Sequence, residues 1–224
     1  FAFQGLSHEN SWDLNSALLP SITTATSYYG GTPDTTGKAR LLGDVLTVQV
    51  DITHNGTLER RKLTTNQYHP ANLTGSNWIS GRLKRASVAS FTDDAPAGPD
   101  NLTRTSSFEY DAAGLLIKEV VEPDRPQDCL QTTHVYDVYG NRTSSSASAC
   151  PGASGYTVSS ASTARTTSAA FAAQTVTLGS ITYTTPAGVF ATTSTNALAQ
   201  SETRQYDPRS GQLIKLTGPN ALAT

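Results

Sequence analysis

Polar and apolar residues alternate with a period of two along much of this chain, and no long window carries apolar positions at a 3.6-residue spacing. Phe108-Glu109-Tyr110 places two rings on one strand face and a carboxylate on the other. After a polar interruption, Leu115 and Ile117 share a face, while Leu116 and Lys118 share the opposite one. Gln131 to Tyr136 repeats the incoming pattern, and Thr175–Phe190 has strand character with a turn around Pro186-Ala187-Gly188. These patterns predict an all-β chain of antiparallel hairpins. Ser144–Ala170, rich in serine, alanine and threonine, lacks the alternation and reads as a long loop or weak strands.

The interruptions between strands share a spelling. Tyr110-Asp111-Ala112-Ala113-Gly114, Tyr136-Asp137-Val138-Tyr139-Gly140 and Tyr206-Asp207-Pro208-Arg209-Ser210-Gly211 are three related teeth, the last with one residue inserted before its glycine. The aspartate carboxylate is suited to accept backbone N–H groups two or three residues on, and glycine supplies the positive φ that returns the chain. Pro208 suits the second turn position, where its fixed φ is already right. Tyrosine closes the incoming strand with its ring on apolar neighbours. Each tooth therefore predicts a β-hairpin with a bulged turn. The spacing is uneven, 26 residues from Asp111 to Asp137 and 70 from Asp137 to Asp207.

Composition extends this picture. Threonine is very common and methionine absent, which suits pleated strands wet on one side. With 224 residues, the chain is long enough for one or two domains. A net charge of -2 and 15% charged residues argue against broad attraction to nucleic acid or anionic lipid. Arg60-Arg61-Lys62, with Arg82, Lys84 and Arg85, reads as a solvated strand face. No apolar run approaches the ~20 residues of a membrane span. The N-terminus has no charged leader before an apolar core, and the expectation is a segment cut from something longer.

The three teeth resemble the YD repeats of the Rhs family. Residues 196–220, NALAQSETRQYDPRSGQLIKLTGPN, are similar to that family's Asn-Ala-Leu, Thr-Arg-x-Tyr-Asp-Pro and Leu-Thr-Gly-Pro-Asn phrase. Asn77-Trp78-Ile79-Ser80-Gly81-Arg82-Leu83, with Tyr68 upstream, resembles an element of large members that carry an SpvB-like region, akin to the shell component of Tc toxins. Phe1 to Leu6 resembles the lead-in to that region. The resemblance covers roughly residues 40–224. It implies lead-in strands and loops over 1–40, joining a preceding region, and a YD-repeat-like β-ribbon over 41–224 with an irregular insertion at about 144–190. It also implies a bacterial, exported or cell-surface protein in which the ribbon spirals into a cocoon around a toxic C-terminal polypeptide. This sequence departs from the pattern at Leu41-Leu42-Gly43-Asp44, where no tyrosine precedes the aspartate, and at Ala199, where the family often has glycine.

Candidate chemistry is sparse. Cys129 and Cys150 flank the second tooth. A disulfide closing that loop of roughly 20 residues would contribute ~3 kcal/mol, free buried thiols are the alternative, and two cysteines make a poor metal cage. His8, His54, His69 and His134 form no short-range motif with a nucleophile or carboxylate. Asp93, Asp94 and Asp100 surround Pro96 and Pro99 without calcium-loop spacing. Glu122-Pro123-Asp124-Arg125-Pro126 reads as a rigid turn, and the sequons at Asn55, Asn72, Asn101 and Asn141 read as turn residues. No phosphate-cradling loop opens a helix, and the scattered aromatics argue against single-stranded nucleic acid.

The sequence thus points to a structural segment, with no enzymatic activity and no cofactor or metal. The partners the resemblance implies are the rest of its own parent polypeptide and an enclosed C-terminal toxin as cargo, and the expectation is no nucleic acid and no membrane insertion by this segment. Surface adhesion is the second class, in which Trp12 or Trp78 on a rim would meet a glycan or receptor.

Overall fold

The computed structural model describes residues 4–9 (backbone only), 21–28, 44–71, 79–92, 101–150 and 164–223. All regular elements among them are β-strands, so the chain is all-β and built of antiparallel hairpins. It divides into two units, residues 1–129 and 130–224.

The first unit contains β1 (Gln4–Glu9), β2 (Ser21–Tyr28), β3 (Val45–His54), β4 (Thr57–Tyr68), β5 (Leu83–Thr92), β6 (Leu102–Tyr110) and β7 (Leu116–Val121). Each pairs antiparallel with the next, so spatial order follows chain order. Two of these strands, β1 and β2, come from the stretch read as lead-in. Asn55-Gly56 joins β3 to β4 with positive φ at both residues, 50° and 79°, the two-residue turn whose twist matches its strands. Asn55, read from the sequence as a turn residue, is in a turn here, although the pattern reading does not use its pairing with Gly56 as a hairpin signal.

Alternation then sorts the side chains. Val48, Val50 and Ile52 of β3 lie on one face and Gln49 and Asp51 on the other. The β3–β4 register sets Val50 opposite Lys62 and Asp51 opposite Arg61. On the Asp51 face, hydroxyls pair across strands, Ser21 with Thr53 at 2.6 Å and Ser87 with Thr105 at 3.0 Å. Such pairs explain how a threonine-rich sequence makes stable sheet without large side chains.

The second unit contains β8 (Leu130–Tyr136), β9 (Arg142–Ala149), β10 (Arg165–Ala170), β11 (Gln174–Leu178), β12 (Ile181–Thr185), β13 (Thr193–Thr195), β14 (Ser201–Tyr206) and β15 (Leu213–Thr217). Its sheet order is β8-β9-β10-β13-β14-β15. β11 and β12 form a separate hairpin between β10 and β13. The described ends of Ser144–Ala170 are thus strands, paired from Ser144↔Ser168 to Ala147↔Arg165, while 151–163 lies outside the described residues. Their alternation is invisible because both faces of β10 are solvated: Thr166 and Thr167, on opposite faces, are each exposed. The expected turn at Pro186-Ala187-Gly188 is present, with the Gly188 N–H donating to the Phe171 carbonyl at 2.8 Å. A second turn at Gly179-Ser180, not foreseen, splits the stretch into the β11–β12 hairpin.

Among the described residues the buried apolar side chains are Val120, Cys129 and Val176. Neither unit assembles a compact core from these residues, and their order rests on backbone ladders and half-buried cross-strand pairs.

Candidate functional site

The feature that recurs is a corner, and its geometry is clearest at Asp137. The Asp137 N–H donates to the Asn141 carbonyl (3.0 Å), and the Gly140 N–H donates to the Asp137 carbonyl (3.1 Å). Asp137 Oδ1 accepts the N–H groups of Tyr139 and Asn141, both at 2.9 Å. These donors lie two and four residues on, instead of two or three. The longer reach closes the loop, because the fourth residue directly precedes the outgoing strand. Gly140 has φ 85°, where a side chain is strained. A bulge between Val135 and Tyr136 sets Tyr136 opposite Arg142. Asn141 then ties the corner to the following turn, its Nδ2 donating to Asp137 Oδ2 (3.1 Å) and to the Gly188 carbonyl (2.8 Å). Desolvation would raise the Asp137 pKa, but the Asn141 amide and the N–H groups of Asn141, Tyr139 and Gly140 outweigh it and hold the carboxyl below its usual range.

At Asp111 the same loop closes between the Asp111 N–H and the Leu115 carbonyl (2.9 Å), with Gly114 at φ 87°. Asp111 Oδ1 accepts the Leu115 N–H at 2.8 Å. Tyr110 packs its ring edge-on to His69, with centroids 5.7 Å apart, and burial pushes its hydroxyl pKa upward. Glu109 lies opposite Lys118, with which it forms an ion pair at 3.1 Å, and the bulge that follows sets Tyr110 opposite Leu116.

The third tooth carries an extra residue, and the structure shows what that does. The Asp207 N–H reaches the Gln212 carbonyl (2.8 Å), five residues on, and the Gly211 N–H returns to the Asp207 carbonyl (2.8 Å). Pro208 and Arg209 lie in the turn, with Gly211 at φ 73°. Arg209 clasps Asp207 through Nε (3.0 Å) and Nη2 (2.8 Å). That clasp, with the Arg209 N–H at 2.9 Å, lowers the Asp207 pKa to about 2 and raises that of Arg209. Arg209 also lies 5.3 Å from the Tyr183 ring centroid, linking the β11–β12 hairpin to this corner. Tyr206 stacks on Phe190 at 4.7 Å and donates its hydroxyl to the Ala191 carbonyl at 3.3 Å.

Two further corners escape the tyrosine–aspartate–glycine spelling. At Asn196 the N–H donates to the Gln200 carbonyl, and the Ala199 N–H donates to the Asn196 carbonyl, both at 3.0 Å. Asn196 Oδ1 accepts the Leu198 and Gln200 N–H groups at 2.9 and 3.1 Å, and Ala199 has φ 60°. This reproduces the Asp137 pattern bond for bond. At Gly218 the backbone closes alike, to Leu222 (2.9 Å) and from Ala221 (3.0 Å), with Ala221 at φ 59°. Ala223 there bridges back to Thr217. Asn196 was findable as a residue that mimics the aspartate acceptor. Gly218 offers no side-chain acceptor to read.

The remaining candidates fall into structural places. Cys129 and Cys150 are both disulfide-bonded, and the chain has no other cysteine. His69 Nε2 lies 2.8 Å from the Phe108 carbonyl, and His54 lies 3.2 Å from Glu59. In the turn after β7, Glu122 is buried beside Arg104 (3.4 Å), and Asp124 pairs with Arg85. Trp12, Trp78, Leu41, Asp93, Asp94, Asp100 and Asn72, together with the His8 side chain, lie outside the described residues. Among the described residues no group of three or more histidine, cysteine or acidic side chains is placed to hold a metal ion. No helix among them is long and apolar enough to cross a membrane. In the second unit, Ser144, Ser168, Ser194, Thr195 and Glu202 line a groove of about 500 Å³.

No family model and no curated protein sequence matches the chain. It is similar to chains of solved crystal structures described as TcdB2-TccC3-Cdc42, at 15% identity and a TM-score of 0.40. A TcdB2-TccC3 structure without its hypervariable C-terminal region is also similar, at 15% identity and 0.41. Each likeness covers 93% of this chain and 10% of the other, so the chain spans about a tenth of the length of those solved chains. A likeness at this level carries no inference about function.

Proposed function

We propose that this chain is a non-enzymatic section of an Rhs-type shell, exported by a bacterium, that encloses a C-terminal toxin polypeptide and helps deliver it. The observation that carries the reading is the recurrence of one corner geometry in both units, at Asp111, Asp137, Asn196 and Gly218, with the lengthened form at Asp207. A chain that reverses repeatedly by the same device makes wall, with neighbouring strands satisfying one another's backbone groups. The strands of the second unit fit that task. They carry small hydroxyls in cross-strand pairs, such as Ser146 with Thr166 at 2.9 Å and Thr195 with Ser201 at 2.7 Å. A surface of this kind holds a polypeptide without one adhesive apolar pocket.

The test is directional. Thr166 and Thr167 are exposed neighbours on opposite faces of β10. In the intact parent polypeptide, a photo-crosslinking residue at one of these positions is expected to capture the C-terminal polypeptide, and at the other to capture none. Capture from neither position would overturn the enclosure reading.

A further inference from the structure

The basic run Arg60-Arg61-Lys62 is split by the strand that carries it. Alternation sends Arg61 to one face of the first unit, where Asp51 takes its guanidinium in two hydrogen bonds, at 2.7 and 2.9 Å. That partnership lowers the Asp51 pKa. Arg60 and Lys62 point to the opposite face, are exposed, and enter no ion pair or side-chain hydrogen bond among the described residues. The register sets them directly opposite Ile52 and Val50 on β3, and Thr92 and Ser90 on β5. A depression of about 340 Å³ lies there, with the two aliphatic residues as its floor.

The apolar character extends along this face. Ile22 pairs with Ile52, and Leu102 with Ser90, leaving both leucine and isoleucine largely exposed at 43% and 49%. The other charges of the face among the described residues are Lys84, Arg104 and Glu119, placed by the β4–β5, β5–β6 and β6–β7 registers, and at its end His54, which holds the bulged Glu59 at 3.2 Å. Arg104 is answered by the buried Glu122. Among the described residues, no carboxylate forms an ion pair with Arg60 or Lys62 beside the floor.

We infer that this face of β2–β6 is a docking surface for an extended acidic polypeptide segment whose aliphatic side chains fill the Val50–Ile52 floor while its carboxylates meet Arg60 and Lys62. Long basic side chains lay their stems along apolar surface and keep their charge at its rim, so one segment satisfies both features. The opposite face of the same strands is unsuited, because its charged residues Asp51, Arg61, Arg85 and Glu109 are already in ion pairs. The inference stands on the geometry of the first unit and is independent of the shell reading.

The probe is a soluble fluorescent peptide of glutamate and leucine in equal number, held extended by a central proline, titrated against the intact chain. Saturable binding is expected, weakening as salt rises. Arg60→Glu with Lys62→Glu is expected to weaken it about tenfold or more, while Arg165→Glu, an exposed charge change in the second unit, leaves it unchanged. Ile52→Thr, which keeps strand propensity, is expected to weaken it about threefold or more through lost apolar contact. Equal binding of a lysine–leucine peptide, or insensitivity to the Arg60/Lys62 variant, would overturn the proposal. So would binding to phosphatidylserine vesicles with the same charge dependence and none to the peptide.

Discussion

The corners at Asp137 and Asn196 make the same four hydrogen bonds from different residues. One has tyrosine before it, a carboxylate as acceptor and glycine at the positive-φ position. The other has Thr195 before it, an amide acceptor and alanine at φ 60°. What the two share is an acceptor at the first position that reaches the second and fourth N–H groups. These two corners therefore rest on an Asx side chain and a residue in the left-handed region, and the Gly218 corner keeps only the second of these. Tyrosine, charge and glycine are refinements. The corners differ in one other respect, since the disulfide of Cys129 and Cys150 encloses only the Asp137 hairpin.

Breaking that asymmetry should have the largest effect. Reduction of the disulfide is expected to lower the stability of the Asp137 hairpin by ~3 kcal/mol in the loop-entropy view, and to leave the exchange of the Leu198 and Gln200 amides unchanged. Gly140→Val places a branched side chain at φ 85°, and the loss should be about 1–3 kcal/mol, read from the urea midpoint. Asn196→Ala removes the acceptor of two N–H groups. About 1 kcal/mol should be lost, with faster hydrogen exchange at residues 198 and 200. Ala199→Gly relieves the strained alanine and should stabilise by about 0.5–1 kcal/mol. A neutral or destabilising outcome would mean that Ala199 is not strained.

Acid separates the corners in kind. Asp207 has its pKa lowered from 3.8 to about 2 by Arg209. A depressed carboxyl contributes stability above its unfolded pKa and loses it as pH falls through the folded value. The Asp207 corner should thus loosen between about pH 4 and pH 2, while Asn196, which does not titrate, holds. Amide chemical shifts across that range would show one corner moving before the other.

These contrasts also explain what the sequence made legible. The three tyrosine–aspartate teeth could be read because aspartate, glycine and flanking strands each report the same turn. Asn196 and Ala199 kept the chemistry and lost the letters. The Gly218 corner is closed by backbone alone, which no residue type announces. In β9 and β10 the failure has a different cause. β9 is half-buried on both faces and β10 exposed on both, so neither has one buried side to impose alternation, and their pairing appears only in the ladder and in contacts such as Ser146 with Thr166. The docking face was hidden in plain order, since three consecutive basic residues look alike until a strand sends the middle one to Asp51.

The most direct measurement is a cryo-electron microscopy map of the intact parent polypeptide. We expect strand reversals at Asp111, Asp137, Asn196 and Asp207 within a continuous wall, with density for a second stretch of polypeptide against one face of it. A map in which those residues lie away from strand reversals, or in which both faces of the sheet meet only solvent, would contradict the account.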